Sequence, residues 1–394
     1  MNRVFTADLA GKDSLYCELD LPASPYQLLD ALERLKMSPG EAPDWEICEF
    51  HDFAYLAPYL DGSGSLYELN ALSRKLSELD ERQSAAFEGL LQMEIHQREG
   101  DIKIPRLIDL AYSTDCCHVV SEALNDSQLG RFYAENGFIP EVESVPDSIF
   151  EMLDFEQLGR KARMAEHGVF TPHGYVVRDG DLNQVFATLD LALKEPAYIF
   201  RCVLNNYPYD KETPVWLDVP LDLPATEEEL DAALGKLDAP NWDSVVLGVE
   251  DSAIPDILDD AELSIDGMDR INKLARAVQY RQERDELPKL KAVLHAADCG
   301  DVSAAISIAE NLDDYLYAPT ERSPEDVALE ELHLIVDDKA LPILQKHVNL
   351  DSYGRELIAA NHAAMTPYGL VERRDGQPIQ APEEQPRQGG MEMT

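Results

Sequence analysis

The residues best placed to do chemistry are Cys116-Cys117-His118 and the pair His167 and His173. Thiols beside an imidazole could act as a nucleophile with its base, or as soft metal ligands. Three adjacent residues cannot all reach one tetrahedral ion, and the related segment further on keeps only Cys299, followed by Gly300-Asp301. The cysteines are therefore read as small buried hydrophobes. His167 recurs as His362 but His173 recurs as Tyr368, so a two-histidine metal site is not expected and His167 reads as a hydrogen-bonded structural residue. No P-loop, dinucleotide-binding GxGxxG, HExxH, GxSxG or EF-hand pattern is present. Asp256–Asp260 and Asp337-Asp338 lack a ligand rhythm and read as solvated acidic faces. Gly159-Arg160 and Gly354-Arg355 are basic points kept in an acidic chain, with each arginine expected in an ion pair. No catalytic residue, cofactor or metal is expected, and the chain does not read as an enzyme.

What does stand out is recurrence. Residues 19–35, LDLPASPYQLLDALERL, return at 221–237 as LDLPATEEELDAALGKL, and the same offset of 202 carries Asn70, Leu72 and Arg74 onto Asn272, Leu274 and Arg276. Asp115-Cys116 is matched to Asp298-Cys299, Gly159-Arg160 to Gly354-Arg355, and Thr171-Pro172-His173-Gly174 to Thr366-Pro367-Tyr368-Gly369. Order is kept while spacers vary, which reads as a tandem duplication of a unit of some 180 residues. The Thr-Pro-x-Gly segment reads as a turn.

Charge is the second signature. The 76 Asp and Glu against 33 Lys and Arg give a net charge of −43. Residues 1–185 hold 34 acids and 15 bases (34 − 15 = 19 net negative), leaving 42 and 18 (42 − 18 = 24) for residues 186–394. The imbalance is thus spread over both copies. With 45% hydrophobic residues the chain can still build cores. Such charge makes a fold repel itself. One account is solubility or adaptation to high salt. The sharper one is imitation of a polyanion, since 43 charges equal those of on the order of 25 base pairs of duplex. Direct binding of nucleic acid is disfavoured by the same electrostatics. Six cysteines without a framework spacing, and no apolar run long enough to span a bilayer, point to a reduced cytoplasmic protein with no membrane partner.

The elements that would position these residues are α+β in class. Each copy opens with two strands (Arg3–Leu9 and Leu15–Leu21; Ile199–Leu204 and Val215–Val219), a capped helix (Pro25–Leu35; its counterpart after Thr226) and a third strand (Trp45–Phe53; Ser244–Glu250). Helices Leu66–Leu79 and Ser84–Gln97, mirrored by Met268–Arg281 and Leu287–Ala297, form a middle part. The last part is expected to hold helices near Val119–Leu124, Gln128–Asn136 and Ile149–Glu166, closed by a strand at Gly174–Arg178 or Gly369–Arg373. The expected boundaries are 1–180 (about 1–60, 61–103 and 104–180) for the first repeat, 181–197 for a linker, 198–376 for the second repeat and 377–394 for a disordered tail.

These ordered elements resemble the ArdA antirestriction proteins of mobile genetic elements. The resemblance rests on Trp45-Glu46-Ile47-Cys48-Glu49-Phe50-His51-Asp52-Phe53, Leu66-Tyr67-Glu68-Leu69-Asn70, and Leu153-Asp154-Phe155-Glu156-Gln157-Leu158-Gly159-Arg160 leading to His167-Gly168-Val169-Phe170. The last stretch is similar to the family's antirestriction motif; the second copy matches it with Asp351, Tyr353, Gly354 and Arg355 and departs at Leu341-Pro342. The resemblance implies two elongated units, each with a β-β-α-β subdomain, a helical middle and a helix-rich end closed by a short strand. It also implies mimicry of bent DNA in the DNA-binding groove of the methyltransferase core of a type I restriction–modification enzyme. Pairing as a homodimer, or as a pseudo-dimer within one chain, is implied near Asp154, Phe155, Gly159, Arg160 and their second-copy counterparts. The acids expected to meet the partner are Glu78, Asp80, Glu81, Asp154, Glu156, Glu227, Glu228 and Glu229. Two other readings compete: an acidic chaperone or inhibitor of another basic nucleic-acid-binding protein, and an enzyme with an unrecognised cleft.

Overall fold

A computed structural model describes residues 2–97, 101–142, 145–206, 210–221, 231–233, 235–237, 245–255, 257, 268–337 and 339–382. The chain packs as two units, Met1–Ala23 with Met37–Leu193 and Ser24–Lys36 with Lys194–Thr394. The helix that follows the first two strands in sequence is therefore part of the second unit.

In the first unit, β1 (Phe5–Ala10) lies between β2 (Tyr16–Leu21) and β3 (Asp44–Phe50), all antiparallel. Alternation decides the faces: Phe5, Ala7, Leu9, Leu19, Leu21 and Trp45 are buried, while Asp8, Tyr16, Glu18, Asp44 and Glu46 point to solvent. Helix α1 (Pro25–Arg34) starts at Ser24, whose hydroxyl accepts from Gln27 N–H as Gln27 accepts from Ser24 N–H. Helices α2 (Leu66–Ser77), α3 (Glu81–Gln97) and α4 (Ile104–Ala111) follow, then β4 (Cys117–Val120), α5 (Asp126–Glu135), α6 (Asp147–Phe150), α7 (Phe155–Glu166), β5 (Val169–Thr171) and β6 (Gly174–Arg178). Strands β4, β6 and β5 form a second small sheet in that order. A local core of Ala123, Leu129, Tyr133 and Tyr175 joins it to the nearby helices.

The second unit repeats this order. Strands β7 (Phe200–Asn206), β8 (Asp210–Val219) and β9 (Val245–Ser252) form a sheet β8-β7-β9. Helices α8 (Met268–Gln282), α9 (Leu287–Ala296) and α10 (Val302–Glu310) precede β10 (Tyr315–Ala318), α11 (Pro324–Ile335), α12 (Leu341–His347), α13 (Leu350–Ala360), β11 (Ala364–Thr366) and β12 (Gly369–Arg373), with sheet order β10-β12-β11. One continuous core runs from Phe200 and Val219 through Leu274 and Leu294 to Val371.

Shared hydrogen bonds show which residues are equivalent. Asn70 accepts from Ala23 N–H at 2.7 Å and returns its amide to Ala23 O; Asn272 does the same for Leu221, accepting at 2.9 Å. Arg74 and Arg276 cap the same two carbonyls. At this turn the offset is 198, four fewer than the recurring LDLP would suggest. Asp179 N–H donates to Cys116 O and Arg374 N–H to Asp314 O, so Asp314 occupies the place of Cys116. The match of Asp115-Cys116 with Asp298-Cys299 is thereby corrected: Cys299 follows α9, away from that position. Thr171 and Thr366 organise identical turns, their side chains accepting from the N–H two residues on, with Gly174 and Gly369 at φ 142° and 138°.

Two local expectations change. Val119-Val120, expected in a helix, are in β4, because Val119 and Val120 pair across to Val176 and Tyr175. The helix expected over Ile149–Glu166 is two helices, since Asp154 accepts from Gln157 N–H at 3.0 Å and so starts α7 afresh. Residues 182–193 are strapped to the first unit by Asn183, bonded to Ser113 Oγ and Tyr112 O, and by Phe186 N–H to Asp109. In the tail, Ile379 and Ala381 rest on the second core. Residues 383–394 lie outside the described residues.

Candidate acidic interface

The outer face of the sheet β2-β1-β3 is a grid of carboxylates. Asp8 sits directly between Glu18 on β2 and Glu46 on β3; Thr6 sits between Asp20 and Glu49; Ala10 sits between Tyr16 and Asp44. Six acids thus share one side of three short strands. Like charges directly opposite across strands destabilise a sheet, so the row Glu18, Asp8, Glu46 is an electrostatic cost built into the fold. Relief is confined to one edge: Arg3 pairs with Asp20 at 2.9 Å, Thr6 donates to Asp20 at 2.8 Å, and His51 lies 2.8 Å from Thr6 Oγ1 and 3.7 Å from Glu49. Among the described residues, no ion pair is formed by Asp8, Glu18 or Glu46. Cys48, on the same sheet, has its thiol pushed up, first by desolvation and then by the negative fields of Asp8, Glu18 and Glu49. Donor atoms of Asp8, Glu18 and Cys48 lie within 4.8 Å of one another.

Among the described residues, the second unit's sheet does not repeat the grid. The position matching the Asp8 row carries Trp216, Val203 and Gly248, with Trp216 51% exposed. The next row carries Arg201, held by Asp218 through two bonds of 2.7 and 2.9 Å. At these described rows the first sheet is strongly anionic and the second is not.

The acids expected from sequence to meet the partner lie, where described, at helix ends. Glu78, Asp80 and Glu81 are exposed at the α2–α3 junction: Glu78 lies 3.6 Å from Lys75, and Asp80 caps α3 by accepting from Gln83 N–H at 2.7 Å. Asp154 caps α7, and Glu156 is 2.5 Å from Arg160. Glu227, Glu228 and Glu229 lie outside the described residues. The strand acids lie outside that set, although Asp44-Trp45-Glu46-Ile47 and Glu18-Leu19-Asp20-Leu21 alternate acidic and apolar with period two.

The motif residues form a helix crossing. A Cβ on Gly159 would stand 1.8 Å from Asp126 O, and one on Gly130 1.9 Å from Phe155 O, so α5 and α7 touch backbone to backbone. Phe155 is buried under Arg131, whose guanidinium lies 4.8 Å from the ring centre. Arg163 clamps Asp126 with bonds of 2.8 and 3.0 Å, which holds that carboxyl below the usual range. Arg160 is exposed, 4.0 Å from Asp126. Gly354 repeats the contact, 1.8 Å from Pro324 O for an added Cβ, and Arg355 is bonded at 2.8 Å to Asp351, lowering its pKa, with Tyr353 half-buried beside them.

The cysteines and histidines assemble no reactive group among the described residues. Cys117 is buried and pushed up to about 12 by desolvation, and His118 is exposed and 2.7 Å from Asp179. His167 supplies a left-handed helix cap at φ 57°, repeated by His362 at φ 52°. No helix among the described residues is long and apolar enough to cross a membrane.

No curated protein matches the chain. Residues 18–177 match the model of the family described as Antirestriction protein (ArdA), so that segment of the chain is similar to that family.

Proposed function

We propose that this protein is a DNA mimic that blocks the DNA-binding groove of a type I restriction–modification enzyme without chemistry of its own. The observation that carries the reading is the row Glu18, Asp8, Glu46, three exposed carboxylates abreast with no basic partner among the described residues. Such an arrangement costs stability in the free protein and is relieved when a basic groove supplies the counter-charges. Lysines and arginines that contact phosphates would contact these carboxylates instead, and duplex would be excluded. The contact is distributed, as exposed pairs are worth about 0–1 kcal/mol each. Glu78, Asp80 and Glu81 extend the acidic surface of the same unit.

The reading also takes residues 1–180 and 198–376 as two ArdA-like repeats, supported by the matched turns at Asn70 and Asn272 and the matched crossings at Gly159 and Gly354. The test is competition for a purified methyltransferase core on labelled duplex. Displacement at near-stoichiometric protein, weakened by salt because both charged surfaces are screened, supports mimicry. Displacement from an unrelated basic DNA-binding protein with none from such cores would favour the general inhibitor instead.

A further inference from the structure

Three buried charges of the second unit, Asp30, Asp251 and Lys291, meet on one segment, residues 24–36. The Lys291 side chain on α9 is 4% exposed, and its ammonium lies 2.9 Å from Asp30 Oδ1 and 2.8 Å from Glu33 Oε2, both on α1. Tyr368, in the turn between β11 and β12 and 2% exposed, donates to the same Asp30 Oδ1 at 2.9 Å. Arg34 reaches the other oxygen of Asp30 at 2.8 Å and lies 5.6 Å from the Tyr368 ring centre. At the start of the helix, buried Asp251 of β9 accepts from the Ser24 hydroxyl at 2.5 Å and the Tyr198 hydroxyl at 2.8 Å, while the Tyr26 hydroxyl donates to Tyr198 O at 2.5 Å.

A charge is tolerated away from water only when it is paired and hydrogen-bonded. Burial alone would depress the Lys291 pKa; the fields of Asp30 and Glu33 outweigh it and raise it. Among the described residues, both carboxylate partners of Lys291 come from α1. The recurring sequence does not encode this pairing twice. Within this helix the offset returns to 202, since Leu35 N–H bonds Ala31 O as Leu237 N–H bonds Ala233 O, and it leads from Asp30 and Glu33 to Ala232 and Gly235; the turn residue matching Tyr368 in the first unit is exposed His173.

We propose that residues 24–36 are a latch required by the second unit, specified once in the chain by Asp30, Glu33, Lys291 and Tyr368. A buried polar network of this kind selects its partner, because any helix lacking the two carboxylates leaves Lys291 uncompensated. The counterpart helix with Ala232 and Gly235 cannot substitute. A cut between residues 181 and 197 would likewise separate the second unit from the counter-charges it needs.

The test is amide hydrogen exchange on the full-length chain, comparing the wild type with Asp30→Asn, Lys291→Met and Tyr368→Phe. Exchange across residues 28–35 is expected to quicken about tenfold or more in Asp30→Asn and Lys291→Met, with residues 66–77 of the first unit unchanged. The double variant Asp30→Asn/Lys291→Met is expected to show less than the product of the two single effects, since each removes the other's partner. Exchange over 28–35 within about twofold of the wild type in both single variants overturns the latch, as does an equal rise across both units. Should Lys291→Met fail to fold, Tyr368→Phe keeps the ring and loses the bond to Asp30 and the longer one from Arg34. It is expected to give a several-fold rise confined to the second unit, and no rise there contradicts the proposal.

Discussion

Replacing Asp8 by Asn should stabilise the protein. Asp8 faces Glu18 on one side and Glu46 on the other, and each directly opposed like-charge pair costs on the order of 0.2–1 kcal/mol. Removing the central charge relieves both pairs, so the expected gain is about 0.4–2 kcal/mol at low salt. For a unit of this size that is a rise in melting temperature of roughly 1–8 °C. Asn keeps the shape of Asp, and the residue is exposed, so packing changes little. The assay is thermal unfolding at two ionic strengths. Because the cost is Coulombic, the gain should shrink substantially near 1 M salt, where the screening length falls to about 3 Å. The matched control is Asp20→Asn, which removes a partner of Arg3 and Thr6 and should give no gain. An Asp8→Asn protein that is less stable than wild type at low salt, or a gain insensitive to salt, would refute the idea that the grid is held against its own repulsion.

Other consequences follow from the packing. Gly159→Ala and Gly354→Ala each push a methyl into a backbone carbonyl 1.8 Å away, so a loss of at least about 2–3 kcal/mol is expected in urea unfolding, whereas Gly300→Ala, with open space around it, should be near neutral. Asn70→Ala and Asn272→Ala strip the turns at Ala23 and Leu221 of a buried acceptor and should cost about 1–3 kcal/mol each, by the same measurement. Asp126 has a depressed pKa in the folded protein, chiefly through the Arg163 hydrogen bonds. Its contribution is therefore fully present above the ordinary carboxylate value and is lost as pH falls through the lower folded value. Arg163→Met should remove about 1 kcal/mol at neutral pH and flatten that acid limb, which unfolding midpoints between pH 2 and 7 would show.

The fold class and most elements were legible because the sequence carries them locally. The Ser24 capping box, the Leu66–Leu76 stripe and the alternation of Tyr16–Leu21 each predict an element and its buried face. What was hidden depends on contacts distant in sequence. Strand β4 exists only through β6, some 55 residues on, and three-residue strands such as β5 carry too little pattern to be recognised. The LDLP identity misplaces the turn by four residues, because Leu217-Asp218-Val219-Pro220, which stands in the place of Leu19-Asp20-Leu21-Pro22, is less similar to it than the LDLP that follows, and only the hydrogen bonds of Asn70 and Asn272 reveal this. Gly159 was visible as a recurring residue, but its reason, a backbone contact with α5, is a tertiary fact. The acidic grid was half-visible: alternation predicts that Glu18 and Glu46 share a face with Asp8, while only strand order places Asp8 between them.

The central claim is that the strand acids carry recognition. The direct measurement compares two triple variants with the wild type as competitors for a type I methyltransferase core on labelled duplex. One is Asp8→Asn/Glu18→Gln/Glu46→Gln and the other Glu78→Gln/Asp80→Asn/Glu81→Gln. The first is expected to need at least tenfold more protein for half-displacement, with a shallower salt dependence, and the second several-fold less than that. Wild-type competition from the strand variant, folded and at low salt, would contradict the account.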